Sequence, residues 1–208
     1  MDVRLRGAFK KEDEKRVSFD DPNASIILQN MIDTALLKAG NRQILIVCVG
    51  TDRSTGDAFG PIVGSRLSSF PVLPGIDIVG TLDEPVHAVN LASTLDAIHN
   101  KYEQVPFIIA IDACLGKFDH VGQIVIENGP LRPGAGVNKT LPAFGDLTLT
   151  GIVNVSGFME YFVLQNTRLS IVIKMSDVVV RALRGSLKKI SMQYPAEDDN
   201  LGALQQSE

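Results

Sequence analysis

Two short apolar runs constrain this chain more than anything else in it: residues 44 to 49 (ILIVCV) and 107 to 111 (FIIAI). Both are continuous and rich in branched side chains. Runs of this length with no polar face are too short for buried helices and read as central strands of a parallel sheet covered on both sides. An aspartate lies beyond each: Asp57 after the first run, Asp112 directly after the second. If the strands are neighbours, both carboxylates stand at the carboxyl edge of the sheet, where such folds bind ligands. Two acids facing one cleft can share a proton, hold a metal or aim a water at a carbonyl.

The rest of the pattern supports this frame. Residues 1 to 20 lack a clean period and read as a mobile arm. From Pro22 the spacing of Ile26, Ile27, Met31, Ala35 and Leu36 predicts a surface helix ending at Gly40. After the first strand, Ala58 to Ser69 reads as a helix with Pro61 tolerated in its first turn. Residues 75 to 80 make a weaker strand, and Pro85 opens a helix carrying Val89, Leu91, Leu95 and Ile98. Strand and helix thus alternate up to residue 111, which implies right-handed crossovers and helices on both faces. The expected fold is α/β, a three-layer sandwich around a mostly parallel central sheet.

Beyond residue 111 the rhythm changes. Val121 to Glu127 alternates like a strand, and the long segment NGPLRPGAGVNKTLPAFG separates it from another, Leu147 to Val153. Long segments without regular structure inside a compact domain are uncommon and often functional. Asn154 to Asn166 reads as a helix, Leu169 to Lys174 as a strand, and Asp177 to Met192 as a closing helix. Residues 21 to 192 form one domain on this reading, and 193 to 208 a loose tail.

Composition removes some classes. No apolar run approaches the length of a membrane span, and the charged start (MDVRLRGAFKKEDEKRV) is unlike a signal peptide. The formal charge of -4 argues against general nucleic-acid binding. Arg181, Arg184, Lys188 and Lys189 suit a solvated helix face near a C-terminus. Cys48 and Cys114 form no CxxC pair, the usage of a reducing, cytoplasmic compartment.

The loop GTDRSTGDAFG invites comparison with phosphate loops and fails it, because five residues separate Gly50 from Gly56 and Asp57 stands where a lysine is needed. Asp57 is expected either to cap the following helix, which would lower its pKa, or to act as base or metal ligand, with Gly56 leaving space for a substrate backbone. Asp112 is expected to cap the next turn or to be an acid held rigidly at the sheet edge. Asp52 reads as an Asx turn or a partner of Arg53. Cys114 has no recognisable histidine partner and reads as packed core. His87 could reach the cleft, giving an Asp57, Asp112 and His87 set for a divalent metal, or it could cap its own helix. His120 could swing toward Asp112, and His99 is a dipole partner. In the long loop, glycines such as Gly134 and Gly136 let backbone amides approach a substrate, while Arg132 or Lys139 could receive a carboxylate or oxyanion. Asn154 and Ser156 could cap a helix or orient substrate.

Several segments together resemble one family. VCVGTDRSTGDAFGPIVG, GTLDEPVHAVNL, IDACLG, GPLRPGAGVNKTLP and NVSGFMEYFVLQNTRL all resemble the YyaC-type sporulation proteins (DUF1256), over the whole chain after the arm. Those proteins in turn resemble the germination protease and, more distantly, the hydrogenase maturation proteases. The resemblance implies a phosphorylase/hydrolase-like sandwich and an endopeptidase site at the strand ends. The aspartates implicated in the germination protease fall on Asp57 and Asp112, and its PGAGV stretch has a counterpart in the long loop. The maturation proteases place two acids and a histidine around nickel, with the acids on the same two positions; no histidine here sits in their motif. The expected function is a peptidase-like hydrolase acting on a peptide or spore protein, with or without a divalent metal. The alternative is a non-catalytic peptide-binding or regulatory protein. Neither nucleic acid nor membrane is an expected partner, and pairing as a homodimer is plausible for a fold of this size.

Overall fold

The computed structural model describes residues 15–133 and 141–192. Six strands form one sheet: β1 (Lys15–Ser18), β2 (Ile44–Cys48), β3 (Ile76–Val79), β4 (Phe107–Gly116), β5 (Gln123–Asn128) and β6 (Leu147–Val155), in the order β1-β5-β6-β4-β2-β3. β3, β2, β4 and β6 run parallel, while β5 is antiparallel to β6 and β1 to β5. This is the mostly parallel α/β architecture expected from the apolar runs. Every residue of β2 is buried, as a strand covered on both faces requires.

Helices α1 (Ala24–Leu36), α2 (Phe59–Ser68) and α5 (Leu169–Ser191) cover one face. Helix α3 (Leu91–Lys101) covers the other, with Leu131, Leu141 and Phe144 beside it. A short α4 (Glu160–Gln165) follows β6. From β2 the chain passes through α2 to β3 on one side, then through α3 on the opposite face to β4 on the other side of β2. The direction of winding therefore reverses between β2 and β4. In open α/β sheets the crevice outside the strand ends at such a point is where ligands bind.

Three expectations are corrected. Residues 15 to 18, assigned to the mobile arm, form an edge strand whose Val17 is buried against the core. Leu169 to Lys174 is the start of α5 and not a strand: its branched residues favour extension locally, but Val172, Met175, Val179, Leu183 and Leu187 are spaced for one helical face and all are buried. Burying that stripe stabilises the helix by roughly 1.5–3 kcal/mol per side chain, far more than the difference in local propensity. Asn154 and Ser156 do not open a helix either, because β6 runs to Val155 and α4 begins at Glu160 without a side-chain cap. Three of the basic residues of α5 have partners: Arg181 donates to Ser25, Arg184 lies over the Phe70 ring and Lys189 pairs with Asp33.

Candidate active site at the switch point

β2 and β4 are adjacent and in register, Ile44 opposite Phe107 and Cys48 opposite Ile111. The loop leaving β2 is held tightly against its own helix. A side chain at Gly50 would meet the Asp57 carbonyl at 1.9 Å and one at Gly60 the Val49 carbonyl at 2.1 Å, so both glycines are required by close backbone approach. Thr51 N–H donates to the Asp57 carbonyl at 3.2 Å and Ala58 N–H to the Ser54 carbonyl at 2.9 Å. Together these contacts fold residues 50 to 58 into a compact arch that carries Asp57 over the strand ends.

Asp57 does not do what its position before a helix suggested. The N-cap of α2 is Ala58, and no side chain caps it. Burial raises the Asp57 carboxyl above its ordinary value, with the Ser54 hydroxyl acting in the opposite direction. That hydroxyl is buried, sits within electrostatic reach of Asp57 and has no hydrogen-bond partner of normal geometry. Ser54 was missed in the sequence; a serine in a loop of threonines and glycines gives no signal until the arch closes around it.

Asp112 lies inside β4, opposite Thr150 of β6, and not in a turn beyond the strand. Its carboxylate accepts the N–H of Ala113 at 2.8 Å. The residue keeps some solvent contact, yet its carboxyl is packed closely enough that burial pushes it up to about 7; the Ala113 hydrogen bond opposes this, and the charge of Asp57 adds to it. The charge of Asp57 is thus felt at Asp112 across the gap between the β2 arch and β4. Burial above all, and the nearby acid in addition, make Asp112 keep its proton toward neutral pH.

The other expected residues divide. Gly56 belongs to the arch, donates its N–H to the Leu164 carbonyl at 2.9 Å, and a side chain there would meet Leu164 at 2.8 Å. It ties the arch to α4 and offers no room on that side for a substrate backbone. Asn154 serves the same tie: its amide donates to the Val163 carbonyl and the Thr167 hydroxyl, both at 3.2 Å. It positions α4 instead of capping it. Ser156 donates to the Gly116 carbonyl. Arg132 is exposed. Gly134, Gly136 and Lys139 lie outside the described residues.

His87 is half-buried and turned to its own loop, where Nδ1 accepts Val89 N–H at 3.3 Å and the backbone N–H donates to Asn90. Among the described residues no three His, Cys, Asp or Glu side chains converge to hold a metal ion. The expected Asp57, Asp112 and His87 set is therefore not assembled, and a metal would find two carboxylates there. His120 pairs with Arg16 at 2.7 Å and not with Asp112, while His99 sits in the last turn of α3 as a dipole partner should. Asp52 meets Thr51, whose hydroxyl also accepts Arg53 N–H; Asp52 does not pair with Arg53. Cys48 is fully buried, which pushes its thiol well up and makes it inert core, and Cys114 is half-buried.

Comparison with known proteins gives these features a context. A family model described as "Protein of unknown function (DUF1256)" matches residues 16–182. "Uncharacterized protein YyaC" of Bacillus subtilis (strain 168) is 49% identical over 182 residues, covering 86% of this chain and 88% of that protein. Among solved structures, a [NiFe] hydrogenase maturation protease, HycI from Thermococcus kodakarensis KOD1, superposes with a TM-score of 0.51 at 16% identity. The match covers 76% of this chain and 98% of HycI, a likeness of fold. No helix among the described residues is long and apolar enough to cross a membrane.

Proposed function

The chain belongs to the DUF1256 family, and from that premise, with the paired acids at the switch point, we propose that it is a peptidase-like hydrolase that cleaves a peptide bond between Asp57 and Asp112. The observation that carries this reading is the pair itself: two carboxyls from neighbouring strand ends, each made harder to ionise by burial and one by the charge of the other. A stable fold gains nothing from such a pair, whereas acid–base chemistry near neutral pH needs one. The protease-like fold supports the same class of reaction. We place the activity in the cytoplasm of a sporulating cell or forming spore.

In this mechanism Asp112, the more strongly raised acid, holds the proton and donates it toward the carbonyl oxygen of the bound peptide. Asp57, beside the Ser54 hydroxyl that favours its charged form, is ionised and removes a proton from the attacking water. As the tetrahedral intermediate collapses, the proton taken up by Asp57 passes to the leaving amine while Asp112, now ionised, takes back a proton from one hydroxyl of the intermediate, so that the C–N bond breaks, the carbonyl re-forms and both acids return to their starting states. The described residues do not offer a three-ligand metal centre, so each step is assigned to the carboxyls.

The test is turnover of unfolded casein and of small acid-soluble spore proteins, each with and without added divalent metal, by the native chain, D57N and D112N. Cleavage by the native chain with at least a hundredfold loss in each variant is expected. Equal turnover, or equal lack of it, in all three proteins under every condition refutes the hydrolase reading.

A further inference from the structure

The sheet ends unevenly above the acids. β4 continues to Gly116, but β2, its neighbour on one side, stops at Cys48 opposite Ile111. One last rung joins them, Val49 N–H to the Ile111 carbonyl at 2.7 Å. In a parallel ladder the following rungs would run from Ala113 N–H to the Val49 carbonyl and from Thr51 N–H to the Ala113 carbonyl. Thr51 instead turns its N–H to Asp57 within the arch. Past this point β4 pairs only with β6 among the described strands. Burial changes at the same residue: 109 to 111 are buried, 112 to 116 half-buried.

The direction of the main-chain groups on this overhang follows from the ladder. Phe107 N–H donates to the Gln43 carbonyl and the Ile111 carbonyl accepts from Val49, so alternate residues from 107 face β2 and Ala113 faces the side that β2 has left. Its N–H is covered by Asp112, which leaves its carbonyl. The register shifts between Cys114 and Leu115, and the Gly116 carbonyl accepts Ser156 N–H from the β6 side at 2.7 Å. Leu115 therefore turns its N–H and carbonyl to the vacated side. Among the described residues the edge presents acceptor, donor and acceptor at strand spacing, beside Asp112.

We infer that this overhang receives an extended polypeptide, which adds to the sheet as a strand in the place that β2 gives up. The inference rests on the hydrolase reading and names its substrate class: an unfolded or extended segment, recognised through its backbone and tolerant of side chains. A peptide backbone is the ligand whose alternating donors and acceptors match that edge. Pairing with the Ala113 carbonyl puts the adjoining peptide group beside Asp112, next to the strand end from which the arch carrying Asp57 rises, as a bond to be cut must be held. The arch keeps β2 from filling the place itself, since Gly50 is locked against Asp57.

The experiment is fluorescence polarisation of a labelled heptapeptide of alternating threonine and valine, against the full chain, beside the same peptide N-methylated on alternate residues of either edge. Methylation removes donors and blocks strand pairing, so one of the methylated peptides is expected to bind about tenfold more weakly or worse. Leu115→Pro, which deletes the β4 donor, is expected to weaken the unmodified peptide about tenfold, and Leu115→Ala, which keeps it, to do so less. Should Leu115→Pro fail to fold, the methylated peptides on the native chain decide. Equal binding of all peptides, or binding of none, overturns the edge. Loss of casein turnover in D112N together with equal peptide binding removes the edge and leaves the hydrolase; methylation-sensitive binding without turnover does the reverse.

Discussion

Asp112→Asn should make this protein more stable, and increasingly so as pH rises. Asparagine has the shape of aspartate and its carbonyl oxygen can still accept Ala113 N–H, so the substitution removes a charge and little else. The native carboxyl is displaced from 3.8 to about 7. Between those values the folded chain binds a proton that the unfolded chain has released, so wild-type stability falls as pH rises through the window and is lowest above it. The full displacement is worth at most ~4 kcal/mol, a ceiling because the residue keeps some solvent contact. At about pH 5 the penalty is ~1.5 kcal/mol and at about pH 8 it approaches the ceiling, so the advantage of the variant should widen by roughly 2–3 kcal/mol between them. Urea unfolding of both proteins across this range reads the difference directly, as a midpoint gap that grows with pH. Midpoints that stay parallel would show that Asp112 ionises as an ordinary surface aspartate, and the argument for a proton held at this edge would collapse.

The same pair predicts that kcat/KM for casein rises with pH as Asp57, raised from its ordinary value, ionises, and falls as Asp112 loses its proton near about 7; activity undiminished well above neutral pH contradicts that assignment. Gly60→Ala brings a methyl to 2.1 Å from the Val49 carbonyl, where neither backbone can retreat, and should cost about 3 kcal/mol or more; an unchanged urea midpoint would show that α2 does not sit against the end of β2. Asn154→Ala removes both donations that tie α4 to β6 and should cost about 1–2 kcal/mol. Its clearest sign is faster hydrogen exchange across residues 159 to 167, and protection equal to the native chain's would argue against the tie.

What could be read in the sequence follows from which interactions are local. The buried strands and the acids beyond them are visible because a strand covered on both faces must be continuously apolar, and a charge interrupting such a run stands out. Asp57 and Asp112 could therefore be paired without knowing how far β4 extends. The start of α5 was hidden because Leu169 to Lys174 has branched residues that fit either element, and only the stripe that continues to Leu187 against α1 and α2 decides for helix. Edge strand β1 was hidden for the opposite reason. It is four residues long with one buried side chain, Val17, and exists because β5 offers it a ladder. The role of Gly56 depends on Leu164, distant in sequence, and that of Asn154 on Val163, which only the closing of α4 brings back to it.

The site is best understood from what each part would do without the other. An acid in the interior of a strand is a liability, and Asp112 is one: burial opposes its charge, and a single backbone N–H does not offset it. Replaced by an apolar residue, that position would let β4 continue as it began. Asp57 is equally dispensable to its helix, which is N-capped by Ala58 and makes no use of the Asp57 side chain as a cap. Neither acid is explained by the element that carries it. Both are explained by the gap between those elements, where the arch built on Gly50 and Gly60 brings the charge of Asp57 within reach of Asp112 at the place where the winding of the sheet reverses. Strain of this kind persists where surrounding structure over-determines it, and the close backbone contacts of the arch supply that rigidity. The proton that Asp112 keeps at this edge is the property on which hydrolysis would draw.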